Sequence, residues 1–172
     1  NMGNPLIYSG APIDVQLMED LDKGRTLKTY RHHQTTGGSF STSWVTRVSV
    51  DNFERVYSNS NSRIEIEYRF PVRSDGSNWG GAYVQMDYSI DQGANWVDAG
   101  NSGYSDVMES GAGSIGVALG KIWLEDLAGS QVQLRFRFRT YDGTSYLLDQ
   151  NAVSGGTEGW GQINVYIKEV SV

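Results

Sequence analysis

Four stretches of this chain alternate apolar and polar residues with a period of two. No other feature limits the fold as much. Ile64, Ile66, Tyr68 and Phe70 alternate with Arg63, Glu65, Glu67 and Arg69. Val84, Met86, Tyr88 and Ile90 alternate with Tyr83, Gln85, Asp87 and Ser89. Val132, Leu134, Phe136 and Phe138 alternate with Gln133, Arg135, Arg137 and Arg139, and Ile163, Val165 and Ile167 with Asn164, Tyr166 and Lys168. Successive side chains of a strand leave opposite faces of its sheet, so each stretch predicts a strand with one buried and one wet face. Weaker strand patterns cover 27–34, 40–50, 115–119, 122–124 and 145–148, and Trp96–Val97 begins another. About eight antiparallel strands joined by polar turns predict an all-β fold, a jelly-roll-like β-sandwich.

Only residues 13–23 (IDVQLMEDLDK) break this period. Ile13, Leu17 and Leu21 recur every four residues, Pro12 suits a first turn and Gly24 can close the end. A helix this short is marginal alone and needs a surface to dock on. The expected organisation is an N-terminal arm with a short helix over 1–26 and one sandwich domain over 27–172.

Composition narrows the partners. The 172 residues include 21 glycines, 3 prolines and no cysteine, which removes disulfides, thiolate metal sites and cysteine nucleophiles. A net charge of −6 argues against nucleic acid as a partner. No apolar run approaches the roughly 20 residues of a membrane span, so no membrane insertion is expected, and no signal-peptide pattern is read.

Catalytic arrangements are hard to build from these residues. His32 and His33 are the only histidines, and neighbours on a strand face opposite ways, so they cannot share one ion. Asp75, Asp91, Asp98, Asp106, Glu109, Asp142 and Asp149 are too many and too scattered for any pair to stand out as two cleft carboxylates. No phosphate loop or calcium loop is present. The expectation is no catalytic residue, no metal and no cofactor. Arg135, Arg137 and Arg139 are expected to pair across strands with Glu65 and Glu67 on a solvated face.

Ser89-Ile90-Asp91-Gln92-Gly93-Ala94-Asn95-Trp96 joins two strand patterns. It resembles the Asp-box, S-x-D-x-G-x-T-W, of sialidases and many other β-proteins, with Asn95 in the place of Thr. That resemblance implies a structural hairpin. Asp91 is then a turn clamp accepting backbone N–H groups, Gly93 takes a positive φ, and Trp96 folds back over the turn.

Aromatic residues also stand inside polar, turn-rich segments: Trp79, Tyr104, Tyr141, Tyr146 and Trp160, with Asp75 and Asp142 beside them. Flat rings edged by acids and amides suit the apolar faces and hydroxyl rims of sugars, so these seven are the candidate ligand-binding residues. The alternative for each ring is that it caps one end of the sandwich core.

The order SFSTSW, YSNSNSRIEIEY, AYVQMDYSIDQGANW and QVQLRFRFRTYDGTSYLL, over about residues 30–148, resembles a jelly-roll-like domain at the ends of tail-fibre and other virion proteins of tailed bacteriophages. Arg63 stands where that pattern usually has Lys. The resemblance implies a non-enzymatic virion domain exposed to the medium. It is commonly a homotrimer that binds a host cell-surface glycan or receptor, or clamps other virion proteins as a capsid decoration. A carbohydrate-binding module of an enzyme is the reading from another class.

Overall fold

The computed structural model describes residues 23–75, 82–105, 115–148 and 162–172, with backbone alone for 75 and 100–105. These form ten strands: β1 (Thr26–Gln34), β2 (Gly38–Phe40), β3 (Val45–Glu54), β4 (Ser62–Asp75), β5 (Ala82–Ser89), β6 (Val97–Ser105), β7 (Ile115–Leu124), β8 (Gln131–Arg139), β9 (Thr144–Leu147) and β10 (Ile163–Ser171). There is no helix among the described residues. The expected helix at 13–23 lies outside them except for Lys23, which enters a turn closed by Gly24 at φ 77°.

The pairing is nested. β1 runs antiparallel to β10, β2 to β9, β3 to β8, β4 to β7 and β5 to β6. The chain is thus one long antiparallel double ribbon with its bend at the β5–β6 turn. The ribbon rolls up because β4 also pairs with β10 and β9, and β5 with β8. The result is a jelly-roll-like sandwich of a six-stranded sheet (β1-β10-β4-β9-β2, with β7 on the other side of β4) and a four-stranded sheet (β3-β8-β5-β6).

The alternation places the core between the sheets. Ile64, Ile66, Phe70 and Val72 of β4 and Phe136 and Phe138 of β8 are fully buried. Phe70 meets the edges of Phe136 and Phe138 at 5.0 and 5.3 Å, and Tyr68 stacks on Phe70 at 4.8 Å. These tilted and offset contacts add to the free energy of burial.

Two local departures from the expected strands have a physical cause. The patterns 115–119 and 122–124 are one strand, and the apparent gap is Gly120, which pairs with Tyr68. The Tyr68 ring lies over this glycine so closely that a Cβ there would overlap Tyr68 Cζ and Oη. The alternation of β4 continues through Pro71 to Asp75. Pro71 falls where the neighbour changes, since β10 ends its pairing at Arg69 and β9 begins at Val72. A residue with no N–H sits well at such a gap in the ladder.

Candidate functional site

The outer face of the six-stranded sheet is built in rows. Lys168, Glu65 and Trp123 lie side by side across β10, β4 and β7, and Tyr166, Glu67 and Lys121 form the next row. Thr29 and Arg31 of β1 extend the same rows beyond Lys168 and Tyr166. From these rows Thr29, Arg31, Glu65, Glu67, Tyr166 and Lys168, together with Tyr30 and Ile167, line a groove of about 380 Å³. Tyr166 stays 44% exposed there, and the Arg31 guanidinium lies 5.5 Å from its ring centre. Arg31 is held by Gln162 Oε1 at 2.8 Å and Asn164 Oδ1 at 2.9 Å.

The charges around this ring are fixed in pairs. Lys121 Nζ is 2.9 Å from Glu67 Oε1, and that bond holds the ammonium above its ordinary pKa. Arg63 Nη2 is 2.8 Å from Glu65 Oε1, with Lys168 on the other oxygen at 3.8 Å. Arg63 also covers one face of Trp123, which remains 55% exposed. Adjacent strands lie about 4.8 Å apart, so Tyr166 and Trp123, two strands apart, are separated by roughly 10 Å across the sheet. The face therefore offers two rings a couple of sugar widths apart, rimmed by carboxylates and cations in fixed positions.

The seven residues expected from sequence are not gathered in one place. Tyr146 lies half-buried on this same outer face, with Arg73 5.0 Å from its ring centre, and the backbone of Asp75 pairs with Thr144. Tyr141 is 69% exposed in the turn between β8 and β9. Its neighbour Asp142 is a turn former whose Oδ1 accepts the Gly143 N–H at 2.7 Å. The backbone of Tyr104 belongs to the other sheet, opposite Tyr83. Trp79 and Trp160 lie outside the described residues. Tyr166 and Trp123 were not among the expected residues. The signal for them is a large ring at a polar-facing position of an alternating strand.

The opposite face, on the four-stranded sheet, corrects the expected arginine ladder. Glu65 and Glu67 belong to the other sheet, so they cannot reach Arg135, Arg137 or Arg139. The partner is Asp87 of β5, whose Oδ2 lies 2.7 Å from Arg135 Nε and 2.8 Å from Arg137 Nε. Aromatic rings complete the ladder: Arg135 lies over Trp96 at 4.4 Å, and Arg139 over Trp44 and Tyr83 at 5.0 and 4.9 Å.

The β5–β6 turn forms as a clamp. Asp91 Oδ1 accepts the Ser89 hydroxyl at 2.7 Å and the Asn95 N–H at 2.9 Å, and Oδ2 accepts Asn95 Nδ2 at 2.7 Å. These bonds hold the Asp91 carboxyl down at about 2. Gln92 and Gly93 have φ of 59° and 84°, and the Gly93 N–H is bound by Ser89 Oγ at 2.8 Å. Every hydrogen-bonding atom of Asp91 named here is spent on the turn. His33 and His32 fall opposite Asn164 and Val165, on alternate faces of β1. Among the described residues no group of three His, Asp or Glu side chains is placed to hold a metal.

No family model and no curated protein matches this chain. Solved structures do match it. VP2 of infectious bursal disease virus, in a subviral particle, is 9% identical over 87% of this chain and 38% of its own, with a TM-score of 0.47. A carbohydrate-binding module specific for non-crystalline cellulose, CBM28, is 10% identical over 83% of this chain and 72% of its own, with a TM-score of 0.37. A pentameric capsid protein isolated from metagenomic phage sequences is 12% identical over 80% of this chain and 83% of its own, with a TM-score of 0.31. This chain spans less than two thirds of the bursal disease virus chains.

Proposed function

We propose that this chain is a non-enzymatic adhesion domain of a phage virion, most simply the receptor-binding head of a tail fibre, and that it takes up host surface glycan on the outer face of the six-stranded sheet. The observation that carries the binding reading is the Tyr166 groove, with its exposed ring, its ion-paired rim and Trp123 two strands away. The virion setting rests on the resemblance in sequence order to tail-fibre jelly rolls. Glu65 and Glu67 of the rim are each paired with a cation, an arrangement that fits a fixed binding surface.

The test is glycan binding by the purified chain. Tyr166→Ala or Trp123→Ala should weaken it by about 1–3 kcal/mol, the usual loss for a stacking aromatic, with little change in melting temperature. Undiminished binding by both variants rejects this face as the receptor site. Hydrolysis of a labelled glycan panel would instead favour a catalytic domain.

A second reading, a capsid decoration protein or a homotrimeric head, is favoured by the outward side of β7. Ile115, Val117 and Leu119 are 43%, 36% and 64% exposed along one strand, a short apolar stripe of the kind that marks interfaces. Mass in solution separates the cases: a trimer broken by Leu119→Asp supports assembly through β7, and a monomer supports an independent binding module.

A further inference from the structure

The outer row of β8 presents three guanidiniums to the four-stranded face, and they are not equivalent. Arg135 and Arg137 share one carboxylate, Asp87, with Arg137 Nη2 on Asp87 Oδ1 at 3.0 Å in addition to the two Nε contacts. Asp87 is itself buried, so its charge is committed to these two neighbours. Arg139 has no ion pair or hydrogen bond among the described residues, and its Nε is shielded from water. It is placed instead by rings. β8 lies between β3 and β5, so Trp44 comes from just before one neighbour and Tyr83 from the other.

A guanidinium flanked by two rings, with Nε shielded, keeps its terminal Nη N–H groups for an acceptor. Because its position is already fixed, little freedom is lost when it donates two parallel bonds to a carboxylate. The flanking rings add apolar surface of the size of a sugar ring. A polyanion such as nucleic acid fits less well. Asp87 offsets only one of the three positive charges in place, but the chain as a whole carries −6, which opposes an extended polyanion.

We propose that Arg139, held between Trp44 and Tyr83 on the outer face of the four-stranded sheet, is a recognition site for the carboxylate of an acidic sugar. It is separate from the Tyr166 groove, which lies on the opposite side of the sandwich.

The experiment is calorimetric titration of the full chain with glucuronate, with glucose as the neutral counterpart and with inorganic sulfate. Glucuronate should bind at least ten-fold more tightly than glucose, and less tightly as salt is raised. Arg139→Gln should abolish the preference. Arg139→Lys keeps the charge, loses the fork, and should lose most of the preference while its melting temperature stays near that of the parent. If Arg139→Gln does not fold, Arg139→Lys decides. Tyr166→Ala should leave the preference intact, so failure of the groove and failure of this site read out separately. Equal binding of glucuronate and glucose, or an unchanged preference in the Arg139 variants, overturns the proposal. Sulfate binding as tight as glucuronate overturns its assignment to carboxylate.

Discussion

Single residues decide several properties of this domain. Arg55 and Glu169 are both fully buried at the side chain. Arg55 donates to the carbonyls of Leu127 at 2.8 Å, Gly129 at 3.0 Å and Asn59 at 2.7 Å, while Glu169 accepts the Val56 N–H at 2.6 Å and the Ser62 hydroxyl at 2.6 Å. Together they pin the β3–β4 and β7–β8 loops to β10. Removing one partner leaves the other buried without its counter-charge, so Arg55→Met or Glu169→Leu should cost about 3–5 kcal/mol in denaturant unfolding. Gly120→Ala forces a Cβ into the Tyr68 ring and should cost about 1–3 kcal/mol, seen as a lower midpoint with unchanged denaturant slope. Titration behaviour follows from two groups. Burial holds the His32 imidazole below 6.5, against the pull of Gln34 and Asp51. The unfolded chain therefore binds the proton first, and the His32 contribution to stability is lost as pH falls below about 6.5. His32→Asn should flatten the dependence of melting temperature on pH between 7 and 5. The Asp91 carboxyl, held at about 2, contributes stability above about 4 that disappears as pH falls toward 2, and an NMR titration of its carboxyl should show the low midpoint.

At the scale of elements, the period-two pattern was sufficient for β4, β8 and β10, because one face of each is buried and any slip of register would turn apolar groups to water. In β5 it fails after Met86, where the register shift between Gln85 and Asp87 leaves Asp87 and Ser89 buried and Ile90 exposed. The β5–β6 turn was equally legible, since the chemistry of Ser89, Asp91 and Gly93 is local. The short β2 was not separable from β3, because three residues carry no period of their own, whereas the pattern at 145–148 falls on β9. The unity of β7 was hidden by Gly120, whose meaning lies in a ring from β4. The candidate site was poorly legible for the same reason. Alternation says that Tyr166 and Trp123 face outward, but only the strand order places them on one surface. The pairing of Arg135 and Arg137 with Asp87, in place of Glu65 and Glu67, depended likewise on which strands share a sheet.

Across the whole molecule, the nested pairing makes most contacts distant in sequence. Strand pairs such as β1·β10 close loops of more than a hundred residues, as Thr26 meets Val170. Such topologies fold slowly, on the order of milliseconds to seconds, because loop-closure entropy is lost before the contacts that offset it form. A stopped-flow refolding phase faster than this range would overturn that expectation. The same arrangement fixes how the domain responds to mechanical load. The entry of β1 and the exit of β10 stand side by side and point the same way. Tension applied between those two ends peels their ladder open one bond after another, at low force. Tension applied along β1 or β10 from opposite ends would instead load many ladder bonds at once, so the direction of pull, more than the number of bonds, sets how firmly these two strands hold.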